Sequence, residues 1–449
     1  MLIYMKIGTS ATGFIFVMGL TFLTPAAGQE SSEKPALVNN VIEWNQIFVE
    51  TLIAANTANS SSQRLGAIVH TAIFDAYNGI ERRYAPIFVR DGAPRGVSSR
   101  AAIVAAGYTA LVGLFPPQKP ALDARYETSL AALRLHCQDQ SPEQQNSCMN
   151  RIDRGIDWGA VVARAVLAWR ANDGFSVSYP AFNGGTAVGQ WRPTPSALAA
   201  MSAQGLAFTD PFVLVSNNQF RPGPPRSLTS PRYTEDFNAV KALGRVTGST
   251  RTADQTALAV FWEGNASVHW NQAANQIARA NHLSLSGSNR LLAVLNIAMA
   301  DTAFTIWSAK RLYGSLPIDV TWRPVTSIPM AETDGNPDTA ADPAWLPLIN
   351  TPSHPEYAAG HPGLNGAAAT VLLSHFRSRQ AFTLTTAGQP ARTYSNIGQA
   401  RSDGNNGRVW GGMHYPSSVQ ISDGVGQAIA IYVNQNSMQR LRRSPQDRH

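Results

Sequence analysis

The sequence predicts an all-α protein built from packed helical bundles. Apolar residues recur at helical spacing over most of the chain, and neither a useful stretch of β-type alternation nor an internal repeat is visible. The chain has 449 residues, of which 44% are hydrophobic and 14% charged. A chain of this length and composition can bury a large core and is expected to be globular.

Residues 1–28 have the pattern of a secretory signal peptide. Lys6 supplies the positive start, "ATGFIFVMGLTFL" is a short apolar segment, and "TPAAGQE" offers small residues for cleavage after Gly28. We therefore expect a secreted or periplasmic protein, with an uncleaved membrane anchor as the alternative. No later stretch is expected to reach transmembrane length.

The net charge does not indicate a nucleic-acid partner. Removal of residues 1–28 takes away one base and no acid, which lowers the formal charge from +7 to +6. Basic residues are scattered, and no basic run carries interleaved aromatic residues. Residues 438–449 form a basic tail that we expect to be a solvated end.

The first region, residues 36–231, is predicted to be helical and to end in an irregular crossing. In 38–56 the apolar residues form one stripe, and 62–80 repeats the pattern with Ser61 or Ser62 as its N-cap. Further helices are predicted at about 98–115, 119–136 and 145–172. Gly, Pro, Ser and Asn dominate 174–231, so little regular structure is expected there.

The chain has two cysteines, Cys137 and Cys148, which flank a short loop between two predicted helices. Two cysteines without a CxxC pair or a nearby histidine cluster make a poor metal site. In an exported chain they are expected to form a structural disulfide, which stabilises a fold by about 2–4 kcal/mol. Their Cα atoms should therefore lie about 4.4–6.8 Å apart.

The second region, residues 232–437, is predicted to be a helical region that carries the functional site. Helices are predicted at about 233–243, 253–263, 266–282, 288–312, 361–376 and 417–435. An irregular stretch precedes the helix that starts at His361, and a polar loop containing "SDGNNGRVWGGMHYPSS" follows it.

Three segments of the second region hold candidates for one polar site: "WSAKRLYGSLPIDVTWRP", "AAGHPG" and "GRVWGGMHYPSS". Lys310 and Arg323 lie in the first segment, His361 in the second, and Arg408 and His414 in the third. Each residue alone would be read as a solvated cation or a loop histidine. Together, two arginines, a lysine and the unpaired N–H groups of a helix start can surround an oxyanion, beside two histidines that carry protons or act as ligands.

Motifs of other enzyme classes are missing from the sequence. It contains no HExxH motif, no carboxylate cluster around these histidines and no Gly-rich loop followed by Lys-Ser/Thr. The pattern therefore favours an anion-binding site without a cationic metal. "WRP" also occurs at 191–193, and Arg192 is expected to stay outside the site.

The order Lys…Arg-Pro, Gly-His and Arg-x₅-His resembles the three-part signature of the vanadium-dependent haloperoxidases, which share a superfamily with type 2 phosphatidic acid phosphatases and bacterial acid phosphatases. "EWNQIF", "HTAIFDAYNGI", "SLTSPRYTEDFNAVKALG" and "STRTADQTALAVFW" are similar to the amino-terminal half of bacterial haloperoxidase-like proteins. "TWRPVTSI" and "TPSHPEYAAGHPG" resemble their core. The resemblance covers roughly residues 36–435 and implies helical bundles of the chloroperoxidase and acid phosphatase type.

The resemblance also implies roles for the site residues and a vanadate cofactor. Vanadate or phosphate would be bound by Lys310, Arg323, Arg408 and the backbone N–H of Gly360. His361 would be the acid–base group. His414 would ligate vanadium, or attack phosphorus in the phosphatase reaction.

The sequence departs from the family pattern in three places. Lys310 lies 13 positions before Arg323, whereas the family separates them by about two helical turns, so "GSLPID" resembles an insertion. Ala359 replaces the serine that hydrogen-bonds the anion. Ser418 replaces the aspartate that orients the last histidine, and Asp423 lies too far along the chain to take over with the same geometry.

The favoured function is therefore vanadium-dependent halide oxidation by hydrogen peroxide in an exported enzyme. An acid phosphatase that cleaves a phosphomonoester through a phosphohistidine is the first alternative. A non-catalytic helical scaffold or anion-binding protein is the second, because Ala359 and Ser418 depart from the pattern.

Overall fold

The computed structural model describes residues 38–138, 140–195, 197–316 and 320–441. Within these ranges the chain forms thirteen α-helices and one antiparallel sheet of two short strands. The predicted all-α class is therefore confirmed. The predicted signal peptide, part of the "GSLPID" stretch and most of the basic tail lie outside the described residues. The division into regions 36–231 and 232–437 stays a prediction.

Five helices precede the irregular crossing: α1 (Asn40–Ala54), α2 (Asn59–Glu81), α3 (Ser99–Leu114), α4 (Lys119–Leu135) and α5 (Pro142–Ala171). The Asn39 side chain caps α1 by accepting from two backbone N–H groups. The predicted serine cap of the second helix is wrong, because α2 starts earlier, after Ala58, without a side-chain cap. Ser62 lies inside the helix, where its hydroxyl bonds Asn265 and Ser267.

The predicted disulfide is present between Cys137 and Cys148. Their Cα atoms are 5.7 Å apart, within the expected range. Cys137 lies just after α4, and Cys148 lies in the first turns of α5. The bridge therefore closes the short connection between these two helices, as the sequence predicted.

The crossing at 174–231 contains one 3₁₀ turn, Gln204–Phe208, among its described residues. Asp301, fully buried, accepts from the backbone N–H groups of Phe212, Val213 and Leu214 at 2.7, 2.9 and 3.1 Å. These bonds attach the crossing to the helices beneath it. The Arg192 guanidinium donates to carbonyls of its own segment, so this arginine stays within the crossing.

The second half adds eight helices and two strands: α6 (Pro231–Leu243), α7 (Ala253–Phe261), α8 (Ala266–Ala280), α9 (Leu285–Tyr313), α10 (Pro324–Ser327), α11 (Gly360–His375), β1 (Phe382–Leu384), β2 (Arg392–Tyr394), α12 (Ile397–Trp410) and α13 (Pro416–Asn436). Thr383 of β1 pairs with Thr393 of β2. The sequence predicted neither the hairpin nor α12, which occupies residues 397–410 of the expected polar loop.

Helix α9 is the central element of the fold. By length and composition it could cross a membrane, contrary to expectation, but its apolar window is entirely buried. It packs against α2, α11 and α13. We interpret it as the core helix of the bundle, and its last turn places Lys310 next to the predicted site.

Candidate oxyanion site

A cavity of about 240 Å³ lies where the start of α11 meets the turn between α12 and α13. Four predicted site residues line it: Gly360, His361, Arg408 and His414. The first half of the chain also contributes lining residues: Asn59 and Ser60 at the start of α2, and Ser202 of the crossing. Side chains that are far apart in sequence therefore meet at one concave surface.

His414 has one ring nitrogen on a carboxylate and the other on a guanidinium. Its Nδ1 is 2.7 Å from Oε1 of Glu356, and its Nε2 is 3.0 Å from Nη1 of Arg323. Because a guanidinium N–H can only donate, Nε2 must accept, which places the imidazole proton on Nδ1. The Nε2 atom therefore carries the lone pair that metal ligation or nucleophilic attack requires.

Arg323 is fully buried and lies at the N-cap of α10. Its Nε donates to the carbonyl of His354 at 2.9 Å, and its Nη1 donates to the carbonyl of Met413 at 2.8 Å. Its Nη2 donates to Nδ1 of His354 at 2.8 Å. These bonds fix the orientation of the guanidinium against His414.

Arg408, in the last turn of α12, has unused donor capacity. Its Nη1 donates to the Trp262 carbonyl at 3.3 Å, and its Nη2 donates to Sδ of Met413 at 3.0 Å. Its buried Nε has no hydrogen-bond partner among the described residues. A thioether is a weak acceptor, so an oxyanion in the cavity would satisfy this guanidinium far better.

Lys310 and Gly360 approach the site from different elements. The fully buried Lys310 ammonium donates to the carbonyls of Pro355 and Glu356 at 2.5 and 3.0 Å, and neither Lys310 nor Arg323 is among the described residues that line the cavity. Gly360 is the first residue of α11, and the N-cap residue Ala359 makes no side-chain capping bond. The first N–H groups of a helix have no partner within it, so this helix start is available to an anion.

His361 lines the cavity one residue into α11. Its Nε2 is 3.2 Å from the carbonyl oxygen of Gly264, which can only accept, so the proton lies on Nε2 and the lone pair on Nδ1. Burial lowers the pKa of His361 well below its usual value, and Arg408 lowers it further. The ring is therefore neutral near pH 7 and can act as a base.

Burial also disfavours the charged form of the other ionisable groups of the site. It lowers the pKa of Arg323 to about 9 and that of Arg408 to about 10, and it lowers the pKa of Lys310 well below its usual value. It raises the pKa of the Glu356 carboxyl to about 7, against the opposing effect of Arg323 and Lys310. It also lowers the pKa of His414 well below its usual value.

Glu356 was not predicted from the sequence, and it takes the place expected to be empty because of Ser418. Glu356 is buried and accepts from the Tyr415 backbone N–H as well as from His414. Asp423 is engaged elsewhere, with the Arg401 guanidinium. The expectation that His414 lacks an orienting carboxylate is therefore wrong. The only sequence signal was an acidic residue within the small and apolar stretch before His361.

His354 is a second residue that the sequence analysis did not single out. It is buried, lines the cavity, and accepts from Arg323 through Nδ1. The same Nδ1 lies 3.2 Å from the Pro355 carbonyl, which can only accept, so its two neighbours require opposite tautomers and do not fix the position of the ring proton. His354 therefore holds Arg323 on one side and adds a buried imidazole to the polar wall of the site.

Comparisons with known proteins agree with this architecture. Residues 290–443 match the sequence model of the VCPO second helical-bundle domain. No curated protein sequence matches the chain. The solved structure of a bacterial vanadium-dependent iodoperoxidase is similar with a TM-score of 0.73 at 20% identity, covering 92% of this chain and 99% of that chain.

Two bacterial vanadium-dependent chloroperoxidase structures are also similar. The holo-type structure has a TM-score of 0.62 at 15% identity and covers 84% of this chain and 91% of that chain. The apo-type structure has a TM-score of 0.61 at 15% identity, with coverages of 84% and 94%. The chain therefore has the vanadium haloperoxidase fold, and residues 290–443, which contain all six predicted oxyanion-site residues, match the second helical-bundle domain of that family.

Proposed function

We propose that this protein is an exported vanadate-dependent haloperoxidase, which uses hydrogen peroxide to oxidise a halide. The observation that carries the proposal is the position of the ring proton of His414 and the hydrogen bonds that fix it. Its Nδ1 proton is donated to Glu356, and its Nε2 lone pair lies beside Arg323 at the edge of the cavity. A carboxylate-oriented imidazole whose Nε2 carries no proton is the arrangement that proteins use for metal ligation.

The charges around the cavity support an oxyanion as the bound group. Lys310, Arg323 and Arg408 are buried together, with Glu356 as the buried carboxylate beside them. Burying a cation without a compensating anion is costly. Among the described residues the Nε of Arg408 has no hydrogen-bond partner, which leaves this donor for an anion. These features fit vanadate and are difficult to explain for a scaffold without a ligand.

Each residue has a defined task in the proposed reaction. Bound vanadate would supply the Lewis acid that activates peroxide for halide oxidation. His414 would ligate it through Nε2, while Arg323, Arg408 and the Gly360 N–H would neutralise its oxygens. Lys310 would add positive charge near the site without lining the cavity itself. The neutral His361 would take a proton from the incoming peroxide and return it to the leaving oxygen.

A phosphatase reaction in the same cavity is the second candidate. The Nε2 lone pair of His414 also suits nucleophilic attack on the phosphorus of a phosphomonoester. The two arginines would then stabilise the oxygens of the transferring phosphoryl group. Vanadate and phosphate have similar shape and charge, so direct assays must separate the two activities.

Export is supported by the Cys137–Cys148 disulfide, because such bridges persist mainly in oxidising compartments. The signal peptide at residues 1–28 stays a prediction. We propose a secreted or periplasmic location on these two grounds.

One purified sample tests the proposed function. We expect iodide or bromide oxidation by hydrogen peroxide to appear only after vanadate is added, and phosphomonoester hydrolysis to remain low. Hydrolysis without halide oxidation would favour the phosphatase. A protein that binds neither vanadate nor phosphate at millimolar concentration would contradict both.

Glu356→Gln is expected to weaken vanadate binding by about 10–100-fold, the usual cost of losing the group that orients a metal ligand. The amide can present an N–H to Nδ1 of His414, which moves the imidazole proton to Nε2 and removes the ligating lone pair. The vanadate dissociation constant measures the effect.

Asp301→Asn is the matched control for the loss of a buried carboxylate. Asp301 bonds the crossing rather than the cavity, so this change should lower the melting temperature without changing vanadate affinity. Unchanged affinity in Glu356→Gln would show that Glu356 does not orient His414.

A further inference from the structure

Met413 contacts both arginines of the oxyanion site. Its backbone carbonyl accepts from Nη1 of Arg323 at 2.8 Å, and its Sδ accepts from Nη2 of Arg408 at 3.0 Å. The residue is 1% exposed and borders the cavity together with His361 and His414. A readily oxidised thioether therefore lies in the wall of a cavity proposed to handle peroxide.

The two ends of the Met413 side chain have different surroundings. Met413 belongs to a small apolar cluster with Ala259 and Ile349. A Cβ added at Gly411 would come within 2.9 Å of the terminal methyl of Met413, so the end of the side chain is closely packed. The sulfur, in contrast, meets the guanidinium of Arg408. An aliphatic residue could fill the apolar part, but it could not accept from Arg408.

We propose that Met413 is an oxidation site, and that its sulfoxide weakens oxyanion binding by engaging Arg408. The oxidant is hydrogen peroxide or the hypohalous acid formed from it, so the second route rests on the proposed function. With peroxide, the O–O bond breaks, one oxygen bonds to sulfur and the other leaves as water. With hypohalous acid, sulfur gains an oxygen, and halide and a proton are released. In both cases sulfur loses two electrons.

The sulfoxide would change the hydrogen bonding of Arg408. A thioether accepts weakly, whereas a sulfoxide oxygen is polar and accepts strongly. The new oxygen would form on the sulfur that already faces Nη2, and the unpartnered Nε is part of the same guanidinium. Arg408 would then donate to the sulfoxide oxygen of Met413, and fewer of its N–H groups would be available to bind the anion.

Peptide mass spectrometry tests the first part of the proposal, through a mass gain of about 16 Da at methionine. Met299, fully buried in α9, is the matched control for burial. Met330 controls for proximity to an arginine, since its Sδ is 3.9 Å from Nη1 of Arg192 in the crossing. With peroxide alone, Met413 should oxidise faster than Met299. During turnover with vanadate and iodide, Met413 should also be oxidised faster than Met330.

The outcomes separate this proposal from the proposed function. If Met413 stays as unreactive as Met299 under both conditions, the oxidation site is refuted. Faster oxidation of Met413 by peroxide alone, without halide oxidation during turnover, supports the oxidation site and contradicts the haloperoxidase.

Vanadate titration tests the second part. After peroxide treatment, the wild type should bind vanadate about tenfold more weakly, the effect of losing one charge-assisted bond. Met413→Leu keeps the apolar volume and cannot be oxidised at this position. Its affinity should be the same before and after treatment. If treatment weakens both proteins equally, or weakens neither although Met413 is oxidised, the link to Arg408 is wrong.

Discussion

Replacing His414 by alanine is expected to abolish vanadate-dependent halide oxidation while the protein remains folded. The change removes the Nε2 lone pair, the proposed ligand, from the edge of the cavity. It also leaves Glu356 without its imidazole partner, at a cost of about 1–3 kcal/mol in the free energy of unfolding. The Tyr415 N–H still donates to that carboxylate. Halide oxidation, vanadate binding and circular dichroism measure the three effects.

His70→Ala is the matched control for His414→Ala. His70 is equally buried, and its Nε2 bonds the Asn45 side chain at 2.8 Å in the first half of the chain. This variant should lose stability but keep vanadate-dependent activity. Retained activity in His414→Ala would remove His414 from the proposed mechanism.

His361→Ala is expected to lower turnover by about 10²–10⁴-fold, the usual contribution of an acid–base group. Vanadate should still bind, because His414 and the arginines remain. We therefore expect the dissociation constant for vanadate to change much less than the turnover rate. Steady-state kinetics at saturating vanadate, together with a binding titration, separate the two quantities.

His375→Ala provides the control on the same helix. His375 lies at the far end of α11, where it bonds Arg290, so its loss should not affect turnover. If His361→Ala loses affinity and turnover to the same extent, His361 acts in binding and not in proton transfer.

Helical periodicity was sufficient to predict most of the fold, but not the elements that depend on tertiary packing. Helix α12 contains "SDGNNG", a sequence of poor intrinsic helix formers. Gly404 allows α12 to pack closely on its neighbours, since a Cβ there would come within 2.8 Å of the Trp262 ring. The close approach of two elements, rather than local propensity, stabilises this helix. The strands of the hairpin have three residues each, too few to show alternation.

The sequence identified the charged groups of the site but not their connections. Arg408 and His414 lie six positions apart and belong to one recognisable motif. Glu356 lies 58 residues before His414, and no local pattern could pair them. The tautomer of His414 follows only from the positions of its two neighbours. Residue types therefore predicted the anion-binding chemistry, whereas three-dimensional contacts were needed to show how the histidine is oriented.

The central position of α9 has a consequence for unfolding. Helix α2 from the first half, and α11 and α13 from the second half, bury apolar surface against this helix, so removing the first half would expose part of α9 to water. A fragment limited to residues 290–443 would lack α2 and present the surface that α2 covers to solvent. The loss of one half should therefore destabilise the other, and the two halves are expected to melt in a single cooperative transition.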